Sequence, residues 1–257
     1  MTSTAMNSPA PKVDVRRAES RFLTDWGWLD SRHSFSFGRH YDRTNAGFGL
    51  LLVSNDDTVK AGAGFETHGH RDMEIVTWVI DGSLVHQDSR GHNGVVYPGL
   101  AQRMSAGTGI QHSEKNDSWT LTGTPEHEHD VHFVQMWVLP DTERIVPGYE
   151  QLDISDVLDR GGLVPVASGM AQHESAIRIA QKDAALLAAR MPSGARVALP
   201  SAPYVHLYVA KGGVDLEGAG ELLVGDSVRI AASDGRTVTA VDGDAEILVW
   251  QMNTSVV

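Results

Sequence analysis

Short apolar runs closed by glycine, proline or aspartate recur along nearly the whole chain, a pattern that fits strands joined by tight turns and little else. Phe48–Val53, Ile75–Ile80, Val131–Leu139, Val205–Val209 and Ala245–Gln251 are rich in Val, Ile, Leu and aromatics and have the length of single strands. Turn signals stand at Asp81-Gly82, Pro98-Gly99, Lys211-Gly212-Gly213, Gly225-Asp226 and Asp242-Gly243. Helical periodicity is scarce. Gln181–Arg190 has the best helical propensity, and a strand-turn-strand fits it equally. Many short strands with close turns predict an all-β sandwich or barrel.

The chain reads as two similar halves. Val76–Gly82 and Gly94–Gly99 in the first correspond to Leu207–Gly213, Val214–Gly220 and Leu223–Asp226 in the second. The expected division is a flexible tail over 1–12, a first domain over 13–140, a polar connection over 141–162 and a second domain over 163–257. At 257 residues, 41% hydrophobic and 21% charged, each half has material for its own core. The formal charge of −12 argues against nucleic acid or an anionic membrane as a direct partner. With no cysteine, disulfides, thiolate metal sites and cysteine nucleophiles are excluded. No apolar run approaches the roughly 18 residues of a membrane-spanning helix. The polar start, MTSTAMNSPAPK, lacks a secretory apolar stretch, so a cytoplasmic location is expected.

Two pairs carry the chemistry. His68-Gly69-His70 and His112-Ser113-Glu114 each have one residue between their members. Alternate residues of a strand point to one face, so each pair aims two donors the same way. With the two strands side by side, three imidazoles and one carboxylate converge, a set that suits a divalent transition metal. The second half has no such pair. Glu126, His127, Glu128 and His129 alternate in a polar stretch and are read as a solvated loop. His132 begins an apolar strand and is expected to be packed or to support the site. His33, His40, His86, His92, His173 and His206 lack ligand-spaced partners and are read as structural or exposed. Gly107-Thr108-Gly109 is not followed by a helix, so it is a tight turn delivering His112 rather than a phosphate loop. Phe35, Phe37, Met73, Trp78, Met136 and Trp137 are candidates for core or for lining a pocket, with Phe35, Trp78 and Met136 singled out for the pocket.

The block from His68 to Asn116, HGHRDMEIVTWVIDGSLVHQDSRGHNGVVYPGLAQRMSAGTGIQHSEKN, resembles the signature region of the pirins. WLDSRHSFSFGRHYD (Trp28 to Asp42) and His132-Phe133-Val134-Gln135-Met136-Trp137 resemble the same family, which the second half follows more weakly. The resemblance implies a bicupin, two tandem jelly-roll-like β-barrels of which the first binds metal. It carries the ligand set over to His68, His70, His112 and Glu114. Glu74 has the spacing of the general cupin glutamate ligand, and is expected to stand outside that set or serve as a fifth ligand. The stretch 117–130 is longer than the family pattern and is expected to border the pocket mouth.

The chain resembles the bacterial, quercetinase-like members more than a generic cupin. They imply a dioxygenase that opens a flavonol such as quercetin with loss of carbon monoxide, using dioxygen and one divalent metal. Iron(II) is the expected ion, and Cu, Ni, Mn, Co or Zn are alternatives. Glu114 is the expected catalytic base, as the one carboxylate of the set. The family resemblance also implies a rival reading, a non-catalytic redox-sensing regulator that binds a protein partner. A cupin isomerase or hydrolase is a third, with the metal polarising a carbonyl. The expected assembly is a monomer.

Overall fold

The computed structural model describes residues 11–116 and 129–257. Its strands begin with β1 (Lys12–Arg16), β2 (Phe22–Asp25), β3 (Leu29–His33), β4 (Leu51–Val59) and β5 (Gly64–His70). Next come β6 (Glu74–Asp81), β7 (Leu84–Asp88), β8 (Asn93–Val96), β9 (Leu100–Ser105) and β10 (Ile110–Lys115). β11 (Val131–Val138) and β12 (Gly148–Asp153) follow. The second half holds β13 (Val164–Ser168), β14 (Ile177–Arg178), β15 (Ala184–Met191), β16 (Arg196–Ala198), β17 (Ser201–Leu216), β18 (Gly220–Leu223), β19 (Ser227–Asp234) and β20 (Thr237–Met252). Helix among the described residues is limited to two single turns, Ala18–Ser20 and Ser155–Leu158. None is long and apolar enough to cross a membrane.

Two sheets build the first barrel. One runs β12-β9-β6-β11-β4-β3-β2 and the other β5-β10-β7-β8. The second half curls a single nine-stranded sheet around its own core of Val205, Leu207, Val228, Ile247 and neighbours. A third body of apolar side chains joins the halves: Phe35, Val76, Trp78, Val134 and Met136 of the first pack with Leu186, Tyr208, Leu248 and Trp250 of the second. Strand alternation explains the split. On β11, Phe133 turns into the first barrel while Val134, Met136 and Val138 turn toward the second half.

Sheet pairing moves several expected boundaries. Lys12–Arg16 forms β1, which pairs with β19 of the second half. The polar connection is built in as well, because Gly148–Asp153 is an edge strand paired with β9. Lys211-Gly212-Gly213 is no turn. It lies inside the sixteen-residue β17, which absorbs it through register shifts on either side of Lys211. Asp242-Gly243 likewise lies inside β20. The helix-like Ala184–Arg190 is a strand whose two faces are both buried, Ala185, Leu187 and Ala189 in one core and Leu186 and Ala188 in the other.

Candidate metal centre

β5 and β10 lie side by side, with His112 opposite His68 and Ile110 opposite His70. Donor nitrogens of His68, His70 and His112 all fall within 4.8 Å of one another. The turn Gly107-Thr108-Gly109 between β9 and β10 sets this register, tied down by the Thr108 N–H donating to the Ile145 carbonyl. A bulge in β5 places Glu114 opposite Phe65, one step out of register with His112 and His68. Glu114 belongs to a second cluster, with donor atoms of His86 and His112 within the same distance.

Hydrogen bonds fix which nitrogen His68 and His112 offer. The Nδ1 of His68 lies 2.8 Å from the Glu66 carbonyl. A carbonyl only accepts, so Nδ1 carries the proton and Nε2 keeps its lone pair. The Nε2 atoms of His70 and His112 are buried and have no hydrogen-bond partner among the described residues. Behind His112 stands His86, its Nδ1 3.4 Å from the His112 Nδ1 and its Nε2 3.4 Å from Asp88 Oδ2. These contacts are long, but the carboxylate sets their polarity. The Nε2–H of His86 donates to Asp88, so its Nδ1 accepts from the Nδ1–H of His112. Asp88 is itself held by the Arg90 and His92 backbone N–H groups and by His92 Nδ1.

Electrostatics favour neutral imidazoles facing an anion. Burial, with the crowding of neighbouring histidines, pushes His70 down to about 4. Burial also lowers His112 to about 4, against the pull of Glu114. Burial alone would raise Glu114, yet His112, His86 and the Gln135 amide together hold it below the usual carboxylate range. Gln135 Nε2 donates to both Glu114 oxygens at 2.9 Å, and Trp137 Nε1 donates to Gln135 Oε1 at 3.0 Å.

His68, His70 and Glu114 line a cavity of about 310 Å³. Leu29, Phe37, Phe65 and Trp137 form its apolar walls, and Trp26, 58% exposed, stands at the rim. The edge of one ring packs on the other where His70 meets Trp137, centroids 4.8 Å apart. Free imidazole nitrogens, a buried carboxylate and an aromatic cavity make a donor set that fits a divalent transition metal with room for a small aromatic ligand.

Comparison with known proteins identifies the family. The family model described as Pirin matches residues 14–138. A Mycobacterium tuberculosis protein provisionally named quercetin 2,3-dioxygenase is 54% identical over 241 residues, covering 94% of this chain and 95% of its own. The chain belongs to the pirin family. A pirin relative from Escherichia coli O157:H7, named quercetin 2,3-dioxygenase, is 35% identical over 93% of this chain and 98% of its own. The E. coli bacterial pirin YhhW, solved in complex with nickel(II), superposes with a TM-score of 0.82 at 35% identity, covering 95% of this chain and all of its own.

Within this pirin, several expected site residues lie elsewhere. Glu74 is buried away from both donor clusters, accepting from the Ser105 hydroxyl and the Ala180 N–H. His132 points out of the barrel and pairs with Asp56. Phe35, Trp78 and Met136 belong to the core between the halves, whereas Phe37 and Trp137 line the cavity. Of the alternating Glu/His stretch, 126–128 falls outside the described residues, as does 117–125, and His129 is exposed. Sequence reading missed His86, although His86-Gln87-Asp88 is a third same-face pair following the Asp81-Gly82 turn. It also missed Asn55 and Asp57, whose polar segment Ser54–Thr58 sits inside an otherwise apolar strand.

Proposed function

We propose that this pirin is a metal-dependent dioxygenase that opens a flavonol such as quercetin, with His68, His70, His112 and Glu114 as metal ligands and iron(II) as the native ion. The observation that carries this reading is the convergence of the His68, His70 and His112 donor nitrogens beside an aromatic cavity that His68, His70 and Glu114 line. The names of the M. tuberculosis and E. coli relatives support the reaction class.

When bound, the metal supplies a Lewis acid that acidifies the substrate's 3-hydroxyl and an open position for dioxygen. The protein's own part is to place, shield and deprotonate. Phe37, Phe65 and Trp137 offer flat apolar faces that hold a three-ring molecule and exclude water. Glu114 is ionised, buried and adjacent to His112, so it accepts the 3-hydroxyl proton. The Gln135 amide, donating to both carboxylate oxygens, keeps it oriented for that transfer. Ring opening then incorporates both atoms of dioxygen into the product and releases one carbon as carbon monoxide.

The test is oxygen uptake with quercetin, using protein stripped by a chelator and reloaded anaerobically with iron(II). Metal-dependent uptake that disappears in His70→Ala supports the reading. A Glu114→Gln variant that binds metal without turnover supports the base role, and full activity in that variant removes it. Tight metal binding with no uptake favours the regulatory role instead.

A further inference from the structure

One wall of the cavity is polar where a barrel interior is ordinarily apolar. Ser31 of β3 is paired with Asp57 of β4, and Asn55 precedes Asp57 by two residues on the same face. All three are buried and line the cavity. Asn55 is committed, its Oδ1 2.9 Å from His33 Nδ1. Asp57 is not. Ser31 faces it across the strand pair, yet its Oδ1 is buried with no partner among the described residues. A buried carboxyl oxygen left unpaired costs stability, so a fold that keeps one on a cavity wall has a use for it.

We propose that Asp57 reads the substrate: its free oxygen hydrogen-bonds a hydroxyl carried by a phenolic ligand away from the edge that faces the imidazoles. This rests on the flavonol reading above and adds the residue that sets specificity within it.

The surroundings of Asp57 fit that task. Phe37, Phe65 and Trp137 hold a planar ring without distinguishing its substituents, so discrimination falls to the polar groups of the lining. The adjacent Asp56 turns to the opposite face of β4 and is consumed there by Arg21, His132 and Tyr208. Among the described residues Asp57 has no hydrogen-bonded cation, and His132 acts on it only through space. Burial pushes its carboxyl up to about 7, with Ser31 opposing and Asp56 and Glu114 adding to the rise. Near neutral pH the group therefore both donates and accepts, which matches a phenolic hydroxyl in either sense.

The experiment compares anaerobic binding of quercetin and 3-hydroxyflavone to the iron(II)-loaded full chain, read by quenching of tryptophan fluorescence. The two ligands share the 3-hydroxyl and 4-carbonyl edge, and only quercetin carries further ring hydroxyls. Wild type is expected to prefer quercetin by about ten- to a hundred-fold, the range for a hydrogen bond to a charged or partly charged buried group. Asp57→Ala is expected to lower that preference at least about tenfold while holding 3-hydroxyflavone and metal as before. Asp57→Asn, which keeps hydrogen-bonding atoms in the same shape, retains most of it. An unchanged preference in a folded Asp57→Ala overturns the proposal and leaves the flavonol reading standing. So does a wild type without preference, a result that needs no variant to fold. Failure of both flavonols to bind wild type overturns the flavonol reading and the proposal together.

Discussion

His86 stands directly opposite Glu114 in the ladder between β7 and β10, and its ring reaches back to within 3.4 Å of the His112 imidazole. One strand pairing thus places a buried histidine behind two of the proposed ligands at once. Its hydrogen bond to Asp88 settles which His112 nitrogen keeps a lone pair. Partners of this kind hold a ligand's tautomer and orientation, and their loss typically lowers metal affinity 10–100-fold. His86→Ala is accordingly expected to weaken iron(II) or nickel(II) binding by about that factor, measured by competition with a chromogenic chelator. Unchanged affinity would show that His112 needs no support from behind.

The two halves are joined by polar as well as apolar contacts. Trp78 Nε1 donates to Glu246 Oε1 at 2.7 Å across the shared core, and the other oxygen of Glu246 meets Arg190 Nε at 3.3 Å. Trp78→Phe keeps an aromatic ring but strands a buried carboxylate oxygen, an expected loss of about 2–4 kcal/mol in urea unfolding. Metal binding is expected to persist, because Trp78 faces away from the imidazoles. A loss below about 0.5 kcal/mol would mean that Arg190 alone satisfies Glu246.

What the sequence reveals here is mostly local. The His-x-His and His-x-Glu pairs are legible because a two-residue period converts directly into one face of a strand, and β5 and β10 do pair as that period requires. Ala184–Met191 is not legible in the same way. With both faces buried it has no polar alternation, and its alanines and leucines mimic a helix. Lys12–Arg16 looks like the edge of a tail because its partner, β19, lies more than two hundred residues away. Asp57 and His86 escape for a related reason. Asp57 sits in the polar run Ser54–Thr58 and His86 shares a strand face with Asp88, but the meaning of each depends on which wall of the barrel its strand joins.

Gly107 makes the delivery of His112 testable. Its φ is +43°, and a Cβ placed there would come 2.0 Å from the Ile145 carbonyl oxygen. Backbone rather than a flexible side chain blocks the space, so Gly107→Ala must move the β9–β10 turn or the segment over it. The expected cost is about 3 kcal/mol or more, with metal affinity reduced alongside because β10 shifts. A variant as stable as wild type would show that the turn adapts without disturbing the register.

The cost of Asp57 has a distinct pH signature. The folded chain keeps the Asp57 proton up to about pH 7, whereas an ordinary aspartate releases it near 3.8. Between those values the folded state binds more protons than the unfolded one, so rising pH favours unfolding; above about 7 the loss is complete. His70 and His112 act in the opposite sense. Lowered to about 4, they are already neutral in the folded chain at a pH where the unfolded chain still protonates them, so their contribution to stability grows between about 4 and 6.5. Wild type and Asp57→Asn share those histidines, along with Asp56, Glu114 and His132 around the site. Subtracting one stability curve from the other therefore isolates Asp57. The Asn variant is expected to gain on wild type steadily from pH 4 to 7, by on the order of a few kcal/mol in total, and to hold a constant lead above that. A difference that stays flat across the range would mean that Asp57 ionises at its ordinary pH in the folded chain.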